Sequence, residues 1–249
     1  MYKKILTLTI GFILTFPAFA SETPITNYNE NNESDKKTNN TKSTFASYSE
    51  DIYQKINDND LDFDAFKYAL KGYVQLQDNQ ELDNSKYLTI IDMSVSANTE
   101  RFFIINMETQ IVEHKSVVAH GEKSGLEFAK KFSNKVNSHQ TSIGFYKTAE
   151  TYNGKHGLSL RLDGLEYSNN KARERAVVIH AADYANPDFI KSNGRLGRSW
   201  GCPSLPEKGY SEIVEKIKEG SCLFIYYPQE HYLSKSKLIA ADNLLASND

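Results

Sequence analysis

The sequence predicts a mainly β domain carrying a few helices, with one helical segment at its N-terminal side. Three observations carry this. Short β-branched and aromatic runs recur after Asn84, at Leu88-Thr89-Ile90-Ile91, Phe102-Phe103-Ile104-Ile105 and Ser116-Val117-Val118-Ala119, separated by polar or turn residues. Further apolar runs at Ala176-Val177-Val178-Ile179 and Cys222 to Tyr227 have the length of buried strands. Between Tyr48 and Gln77, by contrast, Phe63, Phe66, Leu70 and Tyr73 fall at helical spacing.

In chain order, residues 1–20 read as a secretory signal peptide: Lys3 and Lys4 precede an apolar stretch from Ile5 to Phe16, and Ala18-Phe19-Ala20 is a small-x-small cleavage signature. The stretch is too short for a transmembrane span, so the expectation is a soluble mature chain in the periplasm or cell envelope, with no integral membrane segment. Removing residues 1–20 takes away Lys3 and Lys4 and moves the net charge from −3 to −5, since 27 basic residues then face 32 acidic ones. An acidic chain is a poor nucleic-acid ligand, and that class is excluded.

Residues 21–46, rich in Asn, Thr, Ser, Lys and Glu, bury too little to order themselves and read as a linker. Residues 47–84 form the helical segment, with Asp60 or Asp62 as the cap of its main helix. Residues 85–228 read as the main domain, a sheet with short connections in which Asn153-Gly154 and Asp163-Gly164 mark turns. Near its end a helix is expected with Ser211 as cap, Ile213, Val214 and Ile217 as the apolar face, and Gly220 as the stop. Residues 229–249 are a weakly patterned tail, with Leu238, Leu244 and Leu245 available to clip it to the domain.

Only Cys202 and Cys222 are present. In an exported chain they can pair, but Cys222 opens an apolar strand where a free cysteine packs as a small hydrophobe, while Cys202 sits in a Gly-bearing loop. The chemistry concentrates around Cys202. His180 ends an apolar strand, and Cys202 follows 22 residues later in Gly197-Arg198-Ser199-Trp200-Gly201-Cys202-Pro203. A thiol attacks carbonyls as the thiolate, and a neighbouring imidazole raises that fraction, which makes His180 the candidate base. Ser199, or a backbone carbonyl, is available to orient the imidazole. Pro203 has no amide hydrogen, so backbone donors for an oxyanion come from Gly201 and Cys202, or from Trp200.

Trp200 either walls a pocket or fills a gap. Arg198 is a candidate for a substrate carboxylate, with Arg195 and Arg161 weaker ones. His120 and His156 each precede a glycine and either line the cleft or serve their turns. The cysteines and histidines lack the paired spacing of a zinc site, so no metal and no cofactor are expected.

These residues carry a family resemblance. His180 followed by Ser199-Trp200-Gly201-Cys202 resembles the signature of the L,D-transpeptidase (YkuD-like) family, in its murein L,D-transpeptidase catalytic-domain branch. Leu88 to Asp92, Ala119-His120-Gly121 with Ser124-Gly125, and His156 to Leu160 extend the likeness over roughly Phe63 to Pro228. In the commoner pattern His stands where this chain has Trp200, and a residue other than Pro follows the cysteine.

The resemblance implies a YkuD-like β-sandwich or barrel acting on peptidoglycan stem peptides. Cys202 would attack the carbonyl of the third stem residue, usually diaminopimelate, and release the terminal D-alanine. A stem amine resolving the thioester gives a 3→3 cross-link, water gives an L,D-carboxypeptidase, and a protein amine gives attachment to the wall. A non-catalytic wall-binding module and a general cysteine peptidase are the competing classes.

Overall fold

The computed structural model of the protein describes residues 44–240. The segment read as a signal peptide, nearly all of the segment read as a linker, and Leu244 and Leu245 of the tail lie outside the described residues. Helix α1 (Phe45–Ile56) starts within the last residues assigned to the linker, with the Thr44 hydroxyl accepting from the Ser47 amide. Helix α2 (Phe63–Asp78) is capped by Asp62, which accepts from Ala65 N at 2.9 Å. Asp60, the other candidate cap, instead pairs with Lys115 at 2.6 Å.

The helical spacing delivers Phe66, Leu70 and Tyr73 to the core, while Phe63 stays half-buried against Tyr53. Gly72 is where α2 touches the sheet: a Cβ there would stand 2.2 Å from the ring of Phe145. No side chain larger than hydrogen fits that approach.

The strands are β1 (Tyr87–Asp92), β2 (Phe102–Asn106), β3 (Ile111–Ser116), β4 (Gly144–Gly154), β5 (Gly157–Gly164), β6 (Val178–Ala181), β7 (Ser204–Leu205) and β8 (Cys222–Tyr226). They form one eight-stranded sheet in the order β3-β2-β1-β8-β4-β5-β6-β7. Most neighbours are antiparallel; β1 with β8 and β6 with β7 are parallel. Every residue of central β8 is buried, which its unbroken apolar run requires.

Beyond the edge strand β3 the chain reaches the opposite edge, where Ala119 bridges Ser204 of β7. The fold is therefore mainly β, a nearly closed barrel-like sheet with a few helices. The Ala119 bridge covers the short β7 edge that an open sheet would expose.

Several expectations need correction. The run Ser116 to Ala119 is not a strand of its own: β3 ends at Ser116, and Val117–Ala119 is the crossing to β7. Connections are not uniformly short, because residues 117–143 form one long excursion between β3 and β4. Asn153-Gly154 ends β4, and the turn itself is Lys155-His156.

Between these strands and the tail lie α3 (Pro187–Asn193), α4 (Tyr210–Ile217), α5 (Glu230–Leu233) and α6 (Lys237–Ala240). Helix α4 buries Ile213, Val214 and Ile217 as expected, but Gly209 in the left-handed region is its cap and Ser211 is an exposed helical residue. The helix ends at Ile217, before Gly220.

The C-terminal helices are held by Glu166, whose carboxylate accepts from Phe145 N at 2.9 Å, Tyr232 Oη at 2.5 Å and the Ser236 hydroxyl. Tyr232 and Ile239 are buried, and Leu238 packs against the core.

Candidate active site

The β5-β6-β7 corner builds the site. His180 pairs across the ladder with Ser159 on β5 and, in parallel, with Ser204 on β7. Cys202 lies two residues before Ser204, so the loop entering β7 carries the thiol along the side of β6. Gly201 makes that entry with φ +126°, and a Cβ there would meet Gln140 O at 2.8 Å. This backbone conformation belongs to glycine.

The loop is held on three sides. Ser199 N donates to His120 O at 2.9 Å, Glu122 N donates to Ser199 O at 2.7 Å, and Gly197 N donates to Tyr184 O at 2.8 Å. Ser199 then closes the loop on itself: its hydroxyl donates to Cys202 O at 2.6 Å and accepts from Gly201 N at 3.0 Å.

These bonds revise two roles. Ser199 does not orient His180; the imidazole Nδ1 lies 2.9 Å from Ala181 O, the backbone alternative. The Gly201 amide is committed to Ser199, so it is not a free oxyanion donor. The Cys202 and Trp200 amides have no acceptor among the described residues, and of these two donors Cys202 N belongs to the thiol's own residue.

The tautomer of His180 follows from its partners. A carbonyl only accepts, so Nδ1 carries the proton and Nε2 keeps its lone pair. The Ser204 hydroxyl, 3.0 Å from Nε2, must donate to it, and Tyr184 Oη, 3.0 Å from Ser204 Oγ, donates in turn. Burial holds the imidazole below its ordinary pKa of 6.5, against the pull of the Ala181 carbonyl, and the stacked His156 adds to the depression.

The Cys202 thiol is half-buried and lies 3.8 Å from Ala176 O. Burial pushes it above 9.0, while the Val178 amide and the Arg175 guanidinium work in the opposite direction. Thiol and imidazole thus share a cleft without bonding to each other. Cys222 is free and wholly buried in β8, with its thiol pushed far up. Neither cysteine is paired.

The cleft holds about 420 Å³ and is lined by Tyr152, Lys155, His156, Arg175, Ala176, Val178, His180, Tyr184, Arg198, Ser199, Trp200 and Cys202. His156 does line it, stacked on His180 with centroids 4.4 Å apart. Trp200 is a wall: it is 70% exposed and stacks on His139 at 4.8 Å and 6°. His139 is fixed behind it by Glu122 at 2.7 Å.

Arg198 faces the cleft but also ties down the neighbouring loop through Glu122 O at 2.9 Å and Gly125 O at 3.1 Å. Arg195 reaches Leu196 O and Arg161 pairs with Glu150, both outside the cleft lining.

His120 is a correction. It is fully buried, with Nδ1 2.8 Å from the guanidinium of buried Arg101, and it offers nothing to a ligand. Burial and Arg101 together push its pKa down to about 3. Its service is structural, since its carbonyl receives the Ser199 amide.

Sequence reasoning missed Arg175, Ser204, Tyr184 and His139. Ser204 alone left a signal, for an extended chain puts residues i and i+2 on one side and Cys202 is two positions away. Among the described residues no cluster of His, Cys, Asp and Glu is arranged to hold a metal ion, and no helix is long and apolar enough to cross a membrane.

Against known proteins, the family model described as the L,D-transpeptidase catalytic domain matches residues 57–226. No curated protein is similar enough to match. Similar solved structures include an L,D-transpeptidase from Mycobacterium smegmatis, at 15% identity over 57% of this chain and 59% of that one, TM-score 0.36. The cell-shape-determining protein Pgp2 from Campylobacter jejuni is similar at 12% identity over 64% of this chain and 57% of that one, TM-score 0.35. This chain thus spans less than two thirds of the length of those proteins, and at such scores the likeness transfers no residue roles.

Proposed function

This chain belongs to the L,D-transpeptidase catalytic-domain family, and from that premise we propose that it is an exported cysteine acyltransferase acting on the tetrapeptide stems of peptidoglycan. The observation that supports this reading is the shared cleft: Cys202, with a free thiol, and His180, with Nε2 held as the unprotonated nitrogen, open onto the same 420 Å³ space.

In the proposed reaction the thiol proton passes to His180 Nε2 and Cys202 Sγ bonds to the carbonyl carbon of the third stem residue. The Cys202 amide donates to the oxygen that becomes negative. The carbon–nitrogen bond to the terminal D-alanine breaks, and the imidazolium returns its proton to that leaving amine. A thioester remains on Cys202. An amine on a neighbouring stem then attacks it, loses its proton to His180, and restores the thiol with formation of a 3→3 cross-link.

Ser204 occupies Nε2 at rest, so catalysis begins when the hydroxyl turns and gives the lone pair to the thiol. Water as acceptor makes the same acyl-enzyme an L,D-carboxypeptidase, and a protein amine makes it an attachment enzyme.

The test is digestion of tetrapeptide muropeptides with wild type and Cys202→Ala, followed by mass analysis. Cross-linked or trimmed products from wild type alone are expected. Equal product from both proteins removes Cys202 as nucleophile, and no product from either favours a non-catalytic wall-binding module.

A further inference from the structure

The cleft holding Cys202 is cationic in a protein whose overall charge is −3. Lys155, Arg175 and Arg198 converge on it beside His156 and His180, and no Asp or Glu is among its lining residues. A smaller adjoining cleft of about 170 Å³, which shares Arg175, Ala176, Trp200 and Cys202, differs: Glu174 enters its lining beside Arg175.

The three cations also lack counter-ions among the described residues. Arg175 is fixed by neutral acceptors alone, Ser133 O at 2.8 Å, Gln140 O at 2.6 Å, Ser138 Oγ at 3.3 Å and the Ser142 hydroxyl. Arg198 bonds only two backbone carbonyls, and Lys155 stands exposed at the β4–β5 turn. Elsewhere the sheet neutralises its cations: Arg161 and Arg173 share Glu150, and Lys147 pairs with Asp83. Rigid, unneutralised charge in a concave site concentrates anions and favours ligands that replace the missing carboxylates.

We propose that this cleft reads negative charge, so that the preferred acyl donor is a stem peptide whose carboxylates are free, with Lys155 and Arg175 as specificity-determining residues and amidated stems discriminated against. The inference rests on the acyl-transfer reading for the identity of the peptide, but the charge preference is a property of binding alone.

The test uses the Cys202→Ala protein, which binds without reacting, and the fluorescence of Trp200, the single tryptophan, which lies in the cleft wall. A synthetic tetrapeptide stem with free carboxylates is titrated against the same peptide with those carboxylates amidated. The free form is expected to bind about tenfold more tightly at low ionic strength, an advantage that shrinks with added salt. It shrinks again in Lys155→Ala and further in Lys155→Glu, both at an exposed turn.

Equal affinity for the two peptides, an advantage indifferent to salt and to Lys155, or no binding of either overturns the proposal. If the preference holds but wild type forms no thioester with either peptide, the acyl-transfer reading fails and the charge preference stands.

Discussion

His180 Nε2 faces the Ser204 hydroxyl at 3.0 Å, and the Cys202 thiol has no bond to the ring. Because Nδ1–H is spent on Ala181 O, the hydroxyl must donate, and a donor on the lone pair favours neutral imidazole. Ser204→Ala removes that donor and raises the pKa of His180. The acidic limb of kcat/KM against pH is expected to move to higher pH. Ser204→Thr, which keeps the hydroxyl, is expected to restore it. An unmoved limb in Ser204→Ala shows that the contact does not hold the base.

With His180 as the proposed base, its depressed pKa puts that acidic limb below pH 6.5, since on this mechanism activity is lost when falling pH protonates the imidazole. The thiol, raised above 9.0 by burial, is mostly protonated at neutral pH without its imidazole partner. Alkylation of the resting protein by iodoacetamide should therefore be slow at pH 7 and rise with pH, with a midpoint above 9.0. It should reach one thiol only, because Cys222 is inaccessible in β8. Fast labelling at pH 6 contradicts the uncoupled resting state.

Gly201 holds the loop where a side chain has no room. Gly201→Ala would place a methyl 2.8 Å from Gln140 O and 3.2 Å from the Arg175 guanidinium, on a backbone at φ +126°. The strain is about 1–3 kcal/mol, and its relief swings Ser199 and Cys202 away from β6. Activity is expected to fall at least a hundredfold while urea unfolding shows the domain still folded. Full activity in this variant rules out the loop geometry described for Cys202.

What was legible in the sequence was what repeats at short range. Strands β1, β2 and β8 announced themselves because both faces are buried and their runs are β-branched or apolar, with only Thr89 interrupting β1. Strand β4 did not: its register shifts between Thr148 and Thr151, and Lys147, Glu150 and Tyr152 interrupt the alternation. That Cys202 and His180 come to one cleft was legible as a local motif plus a strand end. Arg175 and His139 were not, because loops far from the motif bring them to the cleft; Tyr184, only four residues after His180, was missed because nothing local shows that its hydroxyl reaches Ser204. His120 misled, since a histidine beside a glycine looks the same whether it lines a cleft or lies under one. Glu166 shows the same limit, for nothing near it predicts that it anchors Tyr232 and Ser236.

That buried His120 makes a prediction about folding. In the unfolded chain its imidazole titrates near 6.5, whereas in the folded protein burial and Arg101 keep it neutral down to about 3. A base with a depressed folded pKa contributes its stability above the unfolded value and loses it as pH falls, because the unfolded state then binds the extra proton. His180 and His114, both lowered by burial, act in the same sense. Between pH 6.5 and 4 the loss from His120 alone is on the order of 3 kcal/mol, at 1.36 kcal/mol per pH unit. Urea unfolding of wild type at pH 7.5 and 4.5 should show a marked drop in stability. His120→Gln, whose amide oxygen can still accept from Arg101, should be less stable at pH 7.5 yet lose less on acidification. If both proteins lose the same amount, His120 is protonated without penalty and does not set the acid sensitivity of the fold.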